Sequence, residues 1–262
     1  MSQVLSFLHP NWPAPAQIHA AVSLRAGGVS SGPYASLNLG DHVGDAPAAV
    51  AENRRRLRKA LALPAEPFWL QQVHGTQVIQ VPTRGNSTLS APSSYEAAGG
   101  FAVADASWSQ HAKTVCAILS ADCLPVLFCN DAGTLVAAAH AGWRGLASGV
   151  LESTLRSMPA APQSLMAWLG PAIGPGAFEV GDEVREQLVA DHAQASAAFQ
   201  PSGSKNKWRA DLNLLARQRL TQAGVTRIYG GTLCTHSDSR RFFSHRRDGV
   251  CGRMATLIWK EC

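Results

Sequence analysis

The most apolar stretch of the chain, residues 115–129, is interrupted by Asp122, Cys123 and Pro125. A membrane-crossing helix needs about 18 apolar residues without such a break, so the stretch reads as two short buried strands with a polar interruption between them. No membrane crossing and no membrane partner are expected. Similar runs rich in Val, Ile, Leu and Ala recur along the chain, bounded by Gly, Pro, Asn and Asp, with helical spacing between several of them. The pattern is α/β. It predicts strands over residues 19–24, 67–71, 76–81, 115–119, 125–129, 134–139, 165–169, 227–229 and 255–260, and helices over 47–61, 146–156, 182–195 and 213–223. Asp211 fits the N-cap of the last helix and Gly224 its C-terminal stop. Residues 83–100 and 201–207 are polar and read as surface loops.

At 262 residues with 46% apolar and 16% charged side chains, the chain can bury a core large enough to need neither disulfide nor metal merely to fold. Disordered, collagen-like and coiled-coil classes are excluded, and residues 1–262 read as a single domain. The first residues lack the basic start and long apolar run of a secretory leader. Six cysteines without a dense framework fit reduced thiols in the cytoplasm. Cys116, Cys129 and Cys251 sit among apolar residues and read as small core side chains.

The net charge of +5 comes largely from two arginine clusters: Arg54, Arg55, Arg56 and Arg58, and then Arg240, Arg241, Arg246, Arg247 and Arg253. The first reads as a solvated helix face. The second lies in a Gly- and Ser-rich loop between apolar strands, where it could receive phosphate groups of a small substrate or of a nucleic acid. No helix-turn-helix, RNP or zinc-finger pattern accompanies it, so a nucleic-acid partner is not expected.

Polar residues at strand ends are projected from rigid elements into loop-lined crevices. Three such places stand out: Gln72-Val73-His74-Gly75, Ala121-Asp122-Cys123, and His140-Ala141-Gly142-Trp143-Arg144-Gly145. Two imidazoles and a thiolate are the ligand types of a catalytic zinc site with an open position. Their wide spacing leaves a second reading equally open, in which Cys123 is a nucleophile paired with His140. The chain lacks the His-x-Glu and Cys-x-x-Cys of zinc nucleoside deaminases, the paired His-x-His of four-copper oxidases, and any phosphate-cradling glycine loop of the common types.

Those three segments, together with Arg25-Ala26-Gly27-Gly28-Val29-Ser30, Ser36-Leu37-Asn38-Leu39-Gly40, His42-Val43-Gly44-Asp45, Gly170-Pro171-Ala172-Ile173-Gly174-Pro175, Phe178-Glu179-Val180 and Phe243-Ser244-His245-Arg246-Arg247, closely resemble the laccase-domain family. Its bacterial members were long labelled multi-copper polyphenol oxidoreductases and are now described as purine nucleoside phosphorylases. The resemblance implies a single α/β domain of mixed sheets layered with helices, of α-β-β-α type, and zinc held by His74, Cys123 and His140, with copper as the older assignment. It also implies phosphorolysis of adenosine, inosine and S-methyl-5'-thioadenosine, with adenosine deamination beside it. Some relatives carry cysteines near Gly176 and Ala177, where this chain has none.

Phosphorolysis needs cations for the phosphate and a group to take up charge on the departing base. Arg25, Arg144 and Arg247 are candidate phosphate holders, Gln72 and Asn38 candidate nucleoside partners, and Asp122 a general acid or base or an orienting neighbour of a ligand. A water of metal-lowered pKa would suit attack at the purine C6 in deamination. An editing hydrolase for peptidoglycan precursors and a copper-dependent phenol oxidase are the competing enzymatic readings.

Overall fold

Strands in this chain are apolar at nearly every position because they are covered on both faces, and the computed structural model, which describes residues 5–82 and 102–261, shows what covers them. One sheet has four antiparallel strands in the order Phe7–Leu8, Ile18–Ser23, Met254–Lys260 and Val115–Ser120. The other has six, in the order Arg227–Gly230, Leu165–Leu169, Leu124–Asn130, Val136–Ala141, Ala106–Ser109 and Val78–Gln80, with the two outermost pairs parallel and the rest antiparallel. A small three-stranded sheet of Glu179–Gly181, Lys207–Ala210 and Phe199–Pro201, and a parallel pair of Leu70–Gln71 with Ala102–Val103, complete it.

Alternation along each strand sorts the core into layers. Cys116, Ile118, Val22 and Ile258 of the first sheet meet Leu127, Cys129, Val136, Ala138 and Trp168 of the second. The intervening residues of the second sheet, Leu124, Val126, Phe128, Ala137 and Ala139, pack on Leu146, Val150 and Leu151 and on Leu212, Leu215 and Leu220. On the outer face of the first sheet, Val115, Ala117, Leu119 and Leu257 meet Leu57 of the helix Pro47–Ala60, with Leu37 and Leu39. The order of layers is helix, sheet, sheet, helix.

The structure refines several boundaries. The helix expected over 146–156 begins earlier and is broken by Gly149, whose φ of +90° is left-handed, into Trp143–Ser148 and Val150–Ser157. The one expected over 182–195 stops at Val189 and is followed by a 3₁₀ stretch, Ala193–Ala198. Residues 201–207 join two strands that the pattern did not predict, and the strand Ala106–Ser109 was also missed. The last of the expected helices, Leu212–Gln222, is capped as expected: the Asp211 carboxylate accepts from the Leu214 N–H at 3.0 Å, and Gly224 is left-handed. Arg54 departs from its solvated helix face, turning inward to bond the Leu39 carbonyl and stack 4.4 Å from Trp69, while Arg55 and Arg56 both pair with Glu52. The polar segment 83–100 lies outside the described residues. None of the described helices is long and apolar enough to cross a membrane.

Phe128 is fully buried at the centre of the second sheet, against the helical layer. Phe128→Ala is expected to cost about 3–5 kcal/mol, read as a fall in the urea midpoint with little change in slope. A loss under about 1 kcal/mol would contradict this layering.

Candidate metal centre

Four adjacent strands of the six-stranded sheet bring their polar residues to the same end. Cys123 immediately precedes Leu124–Asn130, His140 lies near the close of Val136–Ala141, Asp105 immediately precedes Ala106–Ser109, and His74 sits in the loop leading to Val78–Gln80. Register fixes the match: Leu124 pairs with Ala141, Pro125 with His140 and Ala106 with Ala139. The His140 N–H donates to the Asp105 carbonyl at 2.7 Å. The break that interrupts residues 115–129 is where the chain passes from one sheet to the other in three residues, and Asp122 makes that passage with a left-handed φ of +93°.

His74 Nε2 lies 3.7 Å from Cys123 Sγ, and the His74 and His140 rings meet edge to face at 4.8 Å. One ligand atom from each of His74, Cys123 and His140 falls within 4.8 Å of the others. Ligands about 2.0–2.3 Å from a tetrahedral zinc ion are themselves some 3.3–3.8 Å apart; the His74–Cys123 pair at 3.7 Å already has that separation, and the donor set is one that a single ion can draw together from within 4.8 Å. His74 is exposed, Cys123 intermediate and His140 buried, which leaves one side open to solvent. Among the described residues this is the one cluster of three or more His, Cys, Asp or Glu side chains disposed to hold a metal.

The electrostatics favour ligation. Burial pushes the Cys123 thiol up, but the charge of His140 and hydrogen bonds from His140 and His74 outweigh it and bring the thiol down to about 6. Burial dominates at Cys116 and Cys129, which are pushed up to about 12 and behave as core side chains. His140 is raised to about 9: burial disfavours its charge, while Cys123 and the Asp105 hydrogen bond favour it more. Asp105, wholly buried, accepts from His140 Nδ1 at 2.8 Å. Burial would raise that carboxyl, yet His140 and the Gly75 and Val73 amides hold it below its usual range. With Nδ1 occupied by Asp105, His140 offers Nε2 to an ion.

Gly142 closes the site from behind. A Cβ there would stand 2.8 Å from Cys123 Sγ and 3.2 Å from His74 Cδ2, so the Cys123 side chain would have to shift and the His74 ring would be crowded.

The remaining expected site residues have other partners. Asp122 is buried, and its carboxylate accepts from Thr235 Oγ1 at 2.5 Å, Ser244 Oγ at 3.0 Å and the Arg246 N–H at 2.7 Å, tying the arginine-rich loop to the residue next to Cys123. Asn38 is fully buried and bonds Gly40, Asp45 and Arg253. Gln72 exchanges two bonds of 2.8 Å with the Leu119 backbone across to the other sheet. Arg247 directs its donors to Asp248 and to the carbonyls of Thr235, His236 and Phe242. Arg25 bonds the Ala35 and Ser239 carbonyls and lies 4.7 Å over Phe243. Arg144 differs: it is exposed, rests 4.4 Å over Trp143, and stands two residues beyond Gly142. Asp105 carried no sequence signal beyond being an acid in an apolar run.

A layered α/β chain with a His-Cys-His centre at one end of its sheet defines the class of protein this is. Residues 19–261 match the model of the multi-copper polyphenol oxidoreductase laccase family, and the chain belongs to that family. It is 53% identical to purine nucleoside phosphorylase YfiH of Escherichia coli over 95% of this chain and 97% of that protein. It is 51% identical to purine nucleoside phosphorylase PA4543 of Pseudomonas aeruginosa over 98% and 99%. The crystal structure of a Neisseria meningitidis protein, NMB0706, superposes with a TM-score of 0.88 at 48% identity, covering 98% of this chain and 99% of that one. YlmD of Geobacillus stearothermophilus does so with 0.88 at 33%, covering 100% and 98%.

Two substitutions separate ligation from nucleophilic chemistry. Cys123→Ser should lower zinc content and activity together, whereas a covalent nucleophile would keep stoichiometric zinc and lose turnover alone. Gly142→Ala, which leaves all three ligands in place, should also reduce zinc retained through gel filtration; full retention would contradict the close packing described.

Proposed function

We propose that this chain is a zinc-dependent purine nucleoside phosphorylase acting on adenosine, inosine and S-methyl-5'-thioadenosine, with adenosine deamination as a second activity. The observation that carries the reading is the solvent-open His74, Cys123 and His140 cluster in a chain half identical to proteins named purine nucleoside phosphorylase. A single three-ligand cluster among the described residues favours one ion over the four of a multi-copper oxidase.

In phosphorolysis a phosphate oxygen bonds to the anomeric carbon while the bond from that carbon to the purine nitrogen breaks, its electron pair leaving with the base, which then takes a proton. When bound, a divalent zinc ion supplies Lewis acidity toward a substrate heteroatom. His74 and His140 set the direction of the open face, and Cys123 contributes negative charge that keeps the cluster close to neutral overall. Arg144 is the phosphate holder on this reading, since it is exposed, stands two residues beyond Gly142 and rests on a ring rather than on a carboxylate. Arg25, Asn38, Gln72, Arg247 and Asp122 support it by bracing the loops that shape the crevice. The described cysteines are all free thiols, which suits work in the cytoplasm.

The test is incubation of the zinc-loaded protein with adenosine, with and without phosphate, followed by separation of products. Free adenine and ribose 1-phosphate should form only with phosphate, and hypoxanthine or inosine should report deamination. Arg144→Ala should raise the phosphate KM by roughly 10–100-fold, the loss of one charge-assisted contact, with zinc content unchanged. Absence of phosphate-dependent cleavage contradicts the assignment.

A further inference from the structure

Asp105 occupies a position that no ligand set explains. It is wholly buried, at the start of a strand whose neighbours are alanines, and an unpartnered carboxylate there would be prohibitively costly. Its two oxygens are met by four N–H groups. Oδ1 accepts from His140 Nδ1 at 2.8 Å and from the His74 N–H at 2.9 Å. Oδ2 accepts from the Gly75 N–H at 2.7 Å and the Val73 N–H at 3.2 Å. Three consecutive amides pointing at one anion form a nest, and His74 adopts the left-handed φ of +61° that such a nest requires. A non-glycine residue in that conformation costs free energy unless its surroundings hold it there.

The backbone around Asp105 is equally fixed. Its N–H donates to the Gln77 carbonyl at 3.0 Å, and its own carbonyl accepts from His140 N at 2.7 Å. The segments on either side run parallel to each other in two different sheets: Leu70–Gln71 beside Ala102–Val103, and Val78–Gln80 beside Ala106–Ser109. The loop carrying His74 therefore spans the same gap that Asp105 fills from below.

From this arrangement the structure assigns Asp105 as the positioning residue for both imidazoles of the metal centre. One carboxylate holds the proton of His140 on Nδ1, so that Nε2 presents a lone pair. The same carboxylate holds the backbone of His74 in the conformation that turns its ring toward Cys123. The two ligands, 66 positions apart in the sequence (140 − 74), are thus oriented by one group and lose their orientation together. An ionised carboxylate has the four acceptor sites that four N–H groups demand. Asparagine has one acceptor oxygen and an NH₂ that can only donate. If its oxygen takes the place of Oδ2, its NH₂ takes the place of Oδ1 and faces both the His74 N–H and His140 Nδ1, which must then accept and move its proton to Nε2. If its oxygen takes the place of Oδ1, the Gly75 and Val73 N–H groups meet an NH₂ and the nest opens beneath His74. Either orientation disturbs at least one imidazole.

The inference rests on the metal reading of His74, Cys123 and His140, and its test separates the two. Zinc affinity is measured by competition with a chromophoric chelator for the wild type and Asp105→Asn, alongside circular dichroism to establish that the variant is folded. The expected result is a Kd for zinc weakened by about 10–100-fold, the range for loss of an orienting partner of a ligand. A folded Asp105→Asn protein with wild-type zinc affinity overturns the role of Asp105, while a wild type that takes up no zinc overturns the metal reading beneath it. Should Asp105→Asn fail to fold, the zinc-loaded wild type alone decides the matter by ¹⁵N NMR of its histidines. His140 should show a metal-bound Nε2 and a slowly exchanging Nδ1 proton. Zinc on Nδ1, or no protected proton there, overturns the assignment.

Discussion

A strand covered by apolar layers on both faces can carry polar side chains cheaply only at its ends, and this constraint organises the whole chain. The six-stranded sheet is sandwiched between the four-stranded sheet and the helical layer, so its central strands are apolar over most of their length. Cys123, His140 and Asp105 accordingly gather at one end of its strands. Because neighbouring strands run antiparallel in this region, residues that open one strand lie beside residues that close the next, and Cys123, His140 and Asp105 meet without any local motif. The sandwich also makes the site rigid. Gln72 ties the His74 loop to Leu119 of the opposite sheet, and Asp122 ties the turn before Cys123 to Thr235, Ser244 and Arg246.

The electrostatic consequence is a centre whose charges sit in pairs. A half-buried thiolate, two imidazoles and a buried carboxylate would be unfavourable as isolated charges. Here Cys123 faces His140 and His74, and Asp105 faces His140 and three amides. The arginine-rich loop, which gives the chain much of its positive charge, is mostly spent on itself. Arg247 braces four backbone or carboxylate partners, Arg241 pairs with Asp238, and Arg246 bonds the Glu179 carbonyl. Net charge alone would have suggested a phosphate-rich partner there, whereas most of these arginines already hold carboxylates or backbone carbonyls.

Much of this was legible in the sequence. The strand Leu165–Leu169 follows from its run of apolar residues, and the cap at Asp211 from the chemistry of helix starts. The three segments bearing His74, Cys123 and His140 stood out because each places a polar group where an apolar run ends. What stayed hidden depends on register and on distant partners. Asp105 looks like any acid between alanines until Ala106 is seen to pair with Ala139, which sets Asp105 against His140. The strand Ala106–Ser109 escaped because Ser107 and Ser109 imitate a solvated face, although both are fully buried. Gly149 broke a helix that the apolar spacing carried straight through. Asn38, Gln72 and Arg247 have residue types suited to a ligand, and their engagement with backbone groups could be seen only in three dimensions.

The central claim, that one metal ion held by His74, Cys123 and His140 supports phosphate-dependent cleavage of purine nucleosides, is tested most directly by titrating metal-free protein with zinc. Ribose 1-phosphate production from adenosine would be followed at each addition and total bound zinc measured on the same samples. The account predicts no cleavage in the metal-free protein and a linear rise that breaks at one zinc per chain. Full phosphorolysis in protein shown to be free of metal would contradict it.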